Sequence, residues 1–173
     1  MRILALDPAN ACGFAHSDGH YGVWNLTTSG PEHGGRRLNR LADLIRQAHG
    51  EWGFGRIVFE DAGFGAGRGQ LHTMALHNEL RGIIKATACY LGIPFEGYKP
   101  TQIKKFATGK GNAKKPQMIA ALKTQLGIET TNDNIADALW ILELAKSDYH
   151  EAEKVKKARQ LAAVVKPKQV RMF

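Results

Sequence analysis

Cysteine is scarce in this chain of 173 residues, which contains only Cys12 and Cys89. The two residues are far apart and form no CxxC pair, so the sequence lacks the patterns of a disulfide framework and of a thiolate zinc site. Both cysteines lie among apolar residues, and we expect them to be buried, reduced thiols.

Long hydrophobic runs are also missing. No apolar segment approaches the ~20 residues that a membrane-spanning helix needs, and Asp7 interrupts the N-terminal apolar stretch before a secretion signal could develop. Hydrophobic residues make up 43% of the chain and charged residues 23%, which is ordinary for a globular protein and excludes collagen-like, coiled-coil and disordered classes. The sequence therefore predicts a soluble cytoplasmic protein with no membrane partner.

Acidic residues are the scarcer charged type, with 16 Asp and Glu against 24 Lys and Arg and a net charge of +8. The excess is localised: residues 99–128 contain seven lysines and no acid, and residues 150–173 contain seven basic and two acidic residues. The remainder is mildly acidic. Two basic surfaces on such a body are typical of polyanion binding, because each neutralised phosphate releases counterions. The alternative to polyanion binding is that these basic residues form a surface that contacts only solvent.

Hydrophobic periodicity and turn residues predict the order β-β-β-α-β-α-β-α-α, with a further short helical segment near residues 101–107. An antiparallel unit followed by crossover strands indicates an α/β fold with a mixed five-stranded sheet flanked by helices. The last core helix is expected to end near Lys146. We therefore divide the chain into a domain of residues 1–147 and a basic C-terminal helix or tail of residues 148–173.

Two of the predicted buried strands end on a carboxylate, Asp7 in the first and Glu60 in the fourth. If these strands are neighbours, the two carboxylates meet at one sheet edge, where their repulsion is costly without a cation. Asp133 and Asp137 share one face of the last helix, about 40° apart, with Asn134 beside them. Each acid also has a structural explanation, such as a helix N-cap for Asp133.

Together these side chains predict an all-oxygen acidic cluster, which suits Mg²⁺ or Mn²⁺ rather than zinc. Two such ions about 3.5–4 Å apart can activate a water and stabilise the leaving oxygen of a phosphodiester. Since lysines are abundant in the same chain, metal-dependent hydrolysis of a nucleic-acid backbone is the favoured hypothesis.

Several short sequence motifs occur in a characteristic order along the chain. They are Asp7-Pro8 followed by Gly13-Phe14-Ala15, the strand-ending Glu60, Arg81-Gly82, Gln102-Ile103-Lys104, the segment from Gly109 to Met118, and Asp137-Ala138-Leu139. With these strings, residues 1 to about 147 resemble the RuvC-like Holliday junction resolvases of the RNase H-like superfamily. The sequence lacks the longer arrangement typical of the bacterial members, and it has Asn134 at a ligand position. Both features favour a phage-type member that acts in the host cytoplasm.

The resemblance implies an RNase H-like fold, a homodimer, two divalent metal ions per active site and symmetrical nicking of four-way DNA junctions. It implies Asp7, Glu60 and Asp137 as metal ligands, with Mg²⁺ expected and Mn²⁺ as the alternative. The fourth ligand position of the family holds Asn134 in this chain. We expect Asp133 to supply that charge, with Asn134 as a water-mediated or supporting partner, so that all four acids take part in catalysis.

Further residues are implied to contact DNA. Lys104 and Lys115 would hold phosphate near the scissile bond, with Lys115 also catalytic. Phe64 would stack on an unpaired base near the crossover, unless it merely anchors its loop on the sheet. Arg68, in the glycine-rich loop, would approach the DNA backbone. The other lysines expected at the interface are Lys105, Lys110 and Lys114.

Other motifs are set aside. The glycine-rich loop of residues 63–69 lacks the spacing and the following acid of a dinucleotide fingerprint, and Gly109-Lys110-Gly111 lacks P-loop spacing, so no nucleotide cofactor is expected. The seven histidines are expected to be scattered rather than to bind metal.

The helix of residues 71–91 carries more apolar side chains than one core face requires. It is either buried between the sheet and its neighbours or part of a subunit interface, and the resemblance favours the interface.

Two other functions remain open from the sequence. A neutral Asn134 at a ligand position would suit a branched-DNA-binding protein without catalytic activity. An RNase H-like nuclease could instead act on RNA–DNA hybrids or flaps. Mg²⁺-dependent nicking distinguishes the first from a resolvase, and a substrate panel distinguishes the second.

Overall fold

The structure, a computed structural model, describes residues 1–30, 33–62 and 71–164, and in these ranges a sheet lies between two helical layers. The strands are β1 (Leu4–Asp7), β2 (Ala11–His16), β3 (Tyr21–Asn25), β4 (Ile57–Glu60) and β5 (Phe95–Tyr98). The helices are α1 (His33–Trp52), α2 (Leu71–Tyr90), α3 (Pro100–Thr108), α4 (Lys115–Leu126) and α5 (Asp133–Val164).

The strand order in the sheet is β3-β2-β1-β4-β5. β1, β2 and β3 are antiparallel, while β1, β4 and β5 are parallel. The tight turn around Gly19, which has a φ of 107°, lets β2 and β3 pair directly, whereas the parallel strands require helical crossovers. The predicted α/β class and mixed five-stranded sheet are therefore confirmed.

Side chains of β1 alternate between two cores. Leu4 and Leu6 pack in the core that contains buried residues of α1 and α2. Ile3 and Ala5 face the other way, into the core formed with α3, α4 and α5. Because alternation continues to the end of the strand, Asp7 lies on the α5 face.

Helices α3 to α5 are joined to one another on that face. The indole Nε1 of Trp140 in α5 donates a hydrogen bond of 3.0 Å to the backbone oxygen of Met118 in α4. The side chain of Ile103 brings α3 into the same core. These contacts fix the start of α5 and the start of α4 at the carboxyl edge of the parallel strands.

Several expectations require correction. The sequence predicts the first helix from Arg37 to His49, closed by Gly50 and Gly53. Instead α1 begins at His33, continues through Gly50 and ends before Gly53, whose positive φ and hydrogen bond to His49 terminate it. α5 continues as helix to Val164, past the residue 147/148 boundary, rather than fraying after Lys146. Cys12 is buried as expected, but Cys89 is exposed near the end of α2.

Most of the additional apolar side chains predicted for α2 pack inside the chain. Leu80 and Ile84 are buried, and Leu76, Ile83 and Leu91 pack against the same core. None of the helices in residues 33–62 and 71–164 has the length and apolarity that crossing a lipid bilayer requires.

Candidate active site at the carboxyl edge of the sheet

Asp7 and Glu60 lie side by side at the ends of adjacent parallel strands. Leu6 of β1 is in register with Phe59 of β4, so the next residue of each strand follows about 4.8 Å from its neighbour. Val58 packs in the α5-side core, and the two-residue alternation directs Glu60 to the same face as Asp7. The predicted adjacency of the two strands is thus observed, and the charge of Glu60 acts on Asp7.

The start of α5 is held directly over this edge. Gly13 of β2 pairs with Asp7, and a Cβ added to Gly13 would lie only 2.0 Å from the backbone oxygen of Asn134. The side chain of Asn132 accepts hydrogen bonds from the N–H groups of Asn134 (3.0 Å) and Ile135 (3.3 Å) and so caps the helix. Asn132 is therefore the N-cap of the helix, and the Asp133 carboxylate also interacts with the backbone N–H groups of Asp133 and Asn134.

The carboxylates of this site oppose one another's ionisation. Burial raises the pKa of Asp7 well above its usual range, and the neighbouring charges of Glu60 and Asp137 raise it further. Burial, followed by the charge of Asp137, raises the pKa of Glu60 to about 7. Burial raises the pKa of Asp137 to about 6, with a further contribution from Asp133. A cation among these partly buried acids would relieve their mutual repulsion and favour their charged forms.

Two lysines supply part of the compensating positive charge. Lys115 forms an ion pair with Asp133, which raises the pKa of Lys115 and lowers that of Asp133. The charge of Lys104 lowers the pKa values of Glu60 and Asp137. A cleft of about 190 Å³ lies between these groups. It is lined by Glu60, Pro100, Ile103, Lys104, Lys115, Met118 and Asp137.

The donor chemistry of these acids suits divalent metal ions of the Mg²⁺ type, although in the described part of the chain no three of their oxygens lie within 4.8 Å of one another. Asp7, Glu60 and Asp137 offer only oxygen atoms, they are partly buried, and their pKa values are raised in the metal-free protein. Hard cations prefer such ligands and remove the repulsion among them. The structure also places Asp133 close enough for its charge to act on Asp7 and Asp137.

The metal-free protein is expected to lose stability as the pH rises from about 4 to about 7. The pKa values of Glu60 and Asp137 in the folded chain, about 7 and about 6, exceed their ordinary values of 4.5 and 3.8. The folded state therefore binds more protons than the unfolded state in this range, and deprotonation destabilises it, by roughly 1–3 kcal/mol.

Urea unfolding in EDTA at several pH values measures this dependence. The Glu60→Gln variant should show a flatter profile, and saturating Mg²⁺ should flatten the wild-type profile, because the cation replaces the proton. A wild-type profile that is flat, or that rises with pH in EDTA, would contradict the prediction.

The remaining predicted residues are placed as follows. Lys105, Lys110 and Lys114 are exposed around α3 and the start of α4, on the same side of the sheet as the acids. Phe64 and Arg68 lie outside the described residues. Asn134 is partly buried, and its backbone rather than its side chain makes the close approach to Gly13.

Sequence reasoning missed the ion pair between Arg81 and Asp61. The Arg81 side chain is only 7% exposed, and it pairs with Asp61, the residue that follows Glu60. It also donates hydrogen bonds of 3.0 Å to the backbone oxygen of His77 and to the side chain of Asn78. Because its charge lowers the pKa of Glu60, Arg81 links α2 to the acidic site. The available signal was a basic side chain directly after Leu80 and three residues before Ile84, both of which are buried.

Comparison with known proteins adds the family. Residues 27–145 match the family described as "Crossover junction endodeoxyribonuclease RuvC". This chain belongs to the RuvC family. Crossover junction endodeoxyribonuclease RuvC of Chloroflexus aggregans is 31% identical over 156 residues, covering 82% of this chain and 90% of that protein. RuvC of Rhodopirellula baltica is 39% identical over 71 residues, or 40% of each chain.

Solved structures agree on the fold. A Thermus thermophilus RuvC structure superposes with a TM-score of 0.68 at 21% identity, covering 88% of this chain and 97% of that one. RuvC from the same organism in complex with a Holliday junction substrate gives a TM-score of 0.66 at 20% identity, covering 82% of this chain and 90% of that one. The predicted RuvC-like resemblance and RNase H-like fold are thus confirmed, while the phage-type assignment stays a prediction.

Proposed function

We propose that this RuvC family member is a metal-dependent endodeoxyribonuclease that resolves Holliday junctions. The observation that carries the proposal is the convergence at one edge of a RuvC-like sheet of Asp7, Glu60 and Asp137, the first and last of which are 130 residues apart in sequence. The family described as crossover junction endodeoxyribonuclease supports the reaction, and the relative solved with a junction substrate supports branched DNA as the substrate. Cytoplasmic location is part of the same proposal.

In this proposal Asp7, Glu60 and Asp137 hold two Mg²⁺ ions, and Asp133 completes the acidic set. When bound, the ions would supply an activated water and stabilise charge on the leaving oxygen. The protein's own contribution is to fix the carboxylates before DNA arrives, because each acid sits on a strand end or on the first two turns of α5. A preorganised site loses little free energy in reorganisation during the reaction.

Lys104 and Lys115 position the scissile phosphate beside the acids. Lys115 is the more available of the two, since its side chain is 70% exposed while its ion pair with Asp133 keeps it at the cleft. When DNA binds, a phosphate oxygen would replace the Asp133 carboxylate as the partner of the Lys115 ammonium. The ammonium would therefore stay paired throughout binding. The exposed Lys105, Lys110 and Lys114 extend the same basic surface along the DNA backbone.

Replacement of Lys115 by alanine is expected to slow junction cleavage about tenfold to a hundredfold and to weaken binding. Because one phosphate contact is lost, the slope of log affinity against log salt should decrease by about one. Filter binding across a salt series and single-turnover cleavage measure both effects. Lys123→Ala is the matched control, since Lys123 is 68% exposed and pairs with Glu129 away from the cleft. Equal salt slopes for the Lys115→Ala protein and wild type would contradict the role.

A homodimer is the expected functional state, because two equivalent sites can nick the two symmetry-related strands of a four-way junction. The free protein should therefore elute with twice the chain mass of 19.0 kDa in size-exclusion chromatography with light scattering. A strictly monomeric protein at the concentrations used for cleavage would argue against this assembly.

The deciding experiment offers the full chain a panel of labelled substrates with and without Mg²⁺. The panel contains a four-way junction, a flap, a linear duplex and an RNA–DNA hybrid. The proposal expects paired, symmetrical nicks in the junction only when Mg²⁺ is present. Binding without cleavage would instead identify a branched-DNA-binding protein, and preference for the hybrid or flap would identify a different RNase H-like nuclease.

A further inference from the structure

The turn between β2 and β3 brings together two imidazoles and a carboxylate at the opposite end of β1 from the acidic site. His16 ends β2, Asp18 lies in the turn, and His20 precedes β3; one ligand atom from each lies within 4.8 Å of the others. His16 pairs with Leu4, three residues or roughly 10 Å along β1 from Asp7. The expectation of scattered histidines is wrong for this pair, because the turn folds the chain back so that the backbone N–H of His16 donates to the backbone oxygen of His20 and the two side chains meet.

The polar atoms of the cluster converge on a single oxygen. Nδ1 of His16 lies 2.5 Å and Nδ1 of His20 lies 2.7 Å from Oδ1 of Asp18, and the backbone N–H of His20 also reaches that oxygen at 3.3 Å. Two ring nitrogens and one backbone N–H group therefore crowd one carboxylate oxygen. A cation that accepts lone pairs from both imidazoles and from the carboxylate would use the same atoms without this competition.

The rings are held in place by packing that does not depend on a cation. His20 stacks on Trp52, at the end of α1, with ring centroids 4.8 Å apart and an interplanar angle of 8°. His16 is buried, and its ring lies against Trp52 and Phe54 at centroid distances of 5.7 and 6.0 Å. The side chains of Asp18 and His20 are 32% and 54% exposed, which leaves a solvent side for water ligands.

From this arrangement we propose that His16, Asp18 and His20 form a binding site for a transition-metal ion of the Zn²⁺ class. Two imidazole nitrogens and one carboxylate oxygen, with a remaining position for water, are a donor set that Zn²⁺ accepts, whereas Mg²⁺ prefers oxygen ligands alone. The bound ion would clamp the β2–β3 turn and, through the stacked ring of His20, fasten it to the end of α1. The site is independent of the proposed nuclease activity.

Equilibrium dialysis and Co²⁺ absorption spectroscopy test the site in the full chain. Zn²⁺ or Co²⁺ is titrated in the presence of excess Mg²⁺, which occupies the acidic site. One transition-metal ion should bind per chain, Co²⁺ should show the visible spectrum of nitrogen-containing coordination, and Zn²⁺ should raise the melting temperature. Absence of stoichiometric binding under these conditions overturns the proposal.

The matched variant is His20→Phe, which keeps an aromatic ring on Trp52 but removes the ligand nitrogen. It should fold normally and bind Zn²⁺ at least about tenfold more weakly, and Asp18→Ala should behave alike. His150→Ala, which removes an exposed histidine of α5, should bind as tightly as wild type. Unchanged Zn²⁺ affinity in the His20→Phe protein, with normal folding shown by circular dichroism, would place the ion elsewhere and overturn the assignment.

Discussion

Junction cleavage by the Asp7→Asn variant is expected to fall by at least about 1,000-fold, a loss of about 4 kcal/mol of transition-state stabilisation. Asparagine has nearly the same shape as aspartate but carries no charge, so the carboxyl edge of the sheet keeps its geometry and loses a ligand of the proposed ions. Junction binding should persist, since the lysines that contact phosphate are unchanged. Single-turnover cleavage in Mg²⁺ and gel-shift binding in EDTA measure the two properties separately.

The same substitution should stabilise the metal-free protein. Burial and the neighbouring charge of Glu60 keep the pKa of Asp7 well above its usual range, so its negative form is unfavourable when no cation is bound. Removal of that charge relieves the electrostatic repulsion among the acids and so raises the free energy of unfolding, while it also removes the activity. Such a trade-off between stability and activity is common at functional sites. Asp43→Asn, at an exposed position of α1, is the control and should change neither property. Cleavage by Asp7→Asn at close to the wild-type rate would remove Asp7 from the mechanism.

The acids were predictable because the pattern that locates them is local. Asp7 and Glu60 each follow a short apolar run, and β-sheet geometry brings neighbouring strand ends together. Asp137 was identified by its four-residue spacing from Asp133 on a helix. The placement of Asp7 and Glu60 follows from sequence and sheet topology alone, whereas that of Asp137 depends on how α5 packs against the sheet.

The partners of these acids were not predictable, because they depend on tertiary packing. Lys115 meets Asp133 only because the starts of α4 and α5 lie at the same edge of the sheet. Arg81 reaches Asp61 across the space between α2 and the end of β4. Asn132 rather than Asp133 caps α5, a choice between adjacent polar residues that sequence patterns leave open.

The C-terminal extension of α5 illustrates a different limit. Most described side chains after residue 147 are exposed, so burial imposes no apolar periodicity from which a helix could be recognised. Local ion pairs such as that between Lys154 and Glu151, 2.8 Å apart and three residues apart in sequence, support the helix instead. Its basic surface still fits the predicted affinity for a polyanion.

Glycine at position 13 is expected to be indispensable, because β2 and α5 approach each other there more closely than any side chain permits. A Cβ on residue 13 would lie 2.0 Å from the backbone oxygen and 2.7 Å from the backbone carbon of Asn134. Backbone atoms cannot rotate away as a flexible side chain would. In the Gly13→Ala protein the start of α5 must therefore move off the sheet and carry Asp137 with it.

The expected result for Gly13→Ala is a loss of about 1–3 kcal/mol in the free energy of unfolding and about a hundredfold loss of cleavage, since a shift of about 1 Å in a catalytic group has effects of that size. Urea unfolding and single-turnover cleavage measure these losses. Gly50→Ala is the matched control: Gly50 lies in α1 with nothing within 4 Å of an added Cβ, and alanine there should stabilise the helix by about 0.5–1 kcal/mol. Wild-type stability and activity in the Gly13→Ala protein would show that α5 does not depend on this contact to position Asp137.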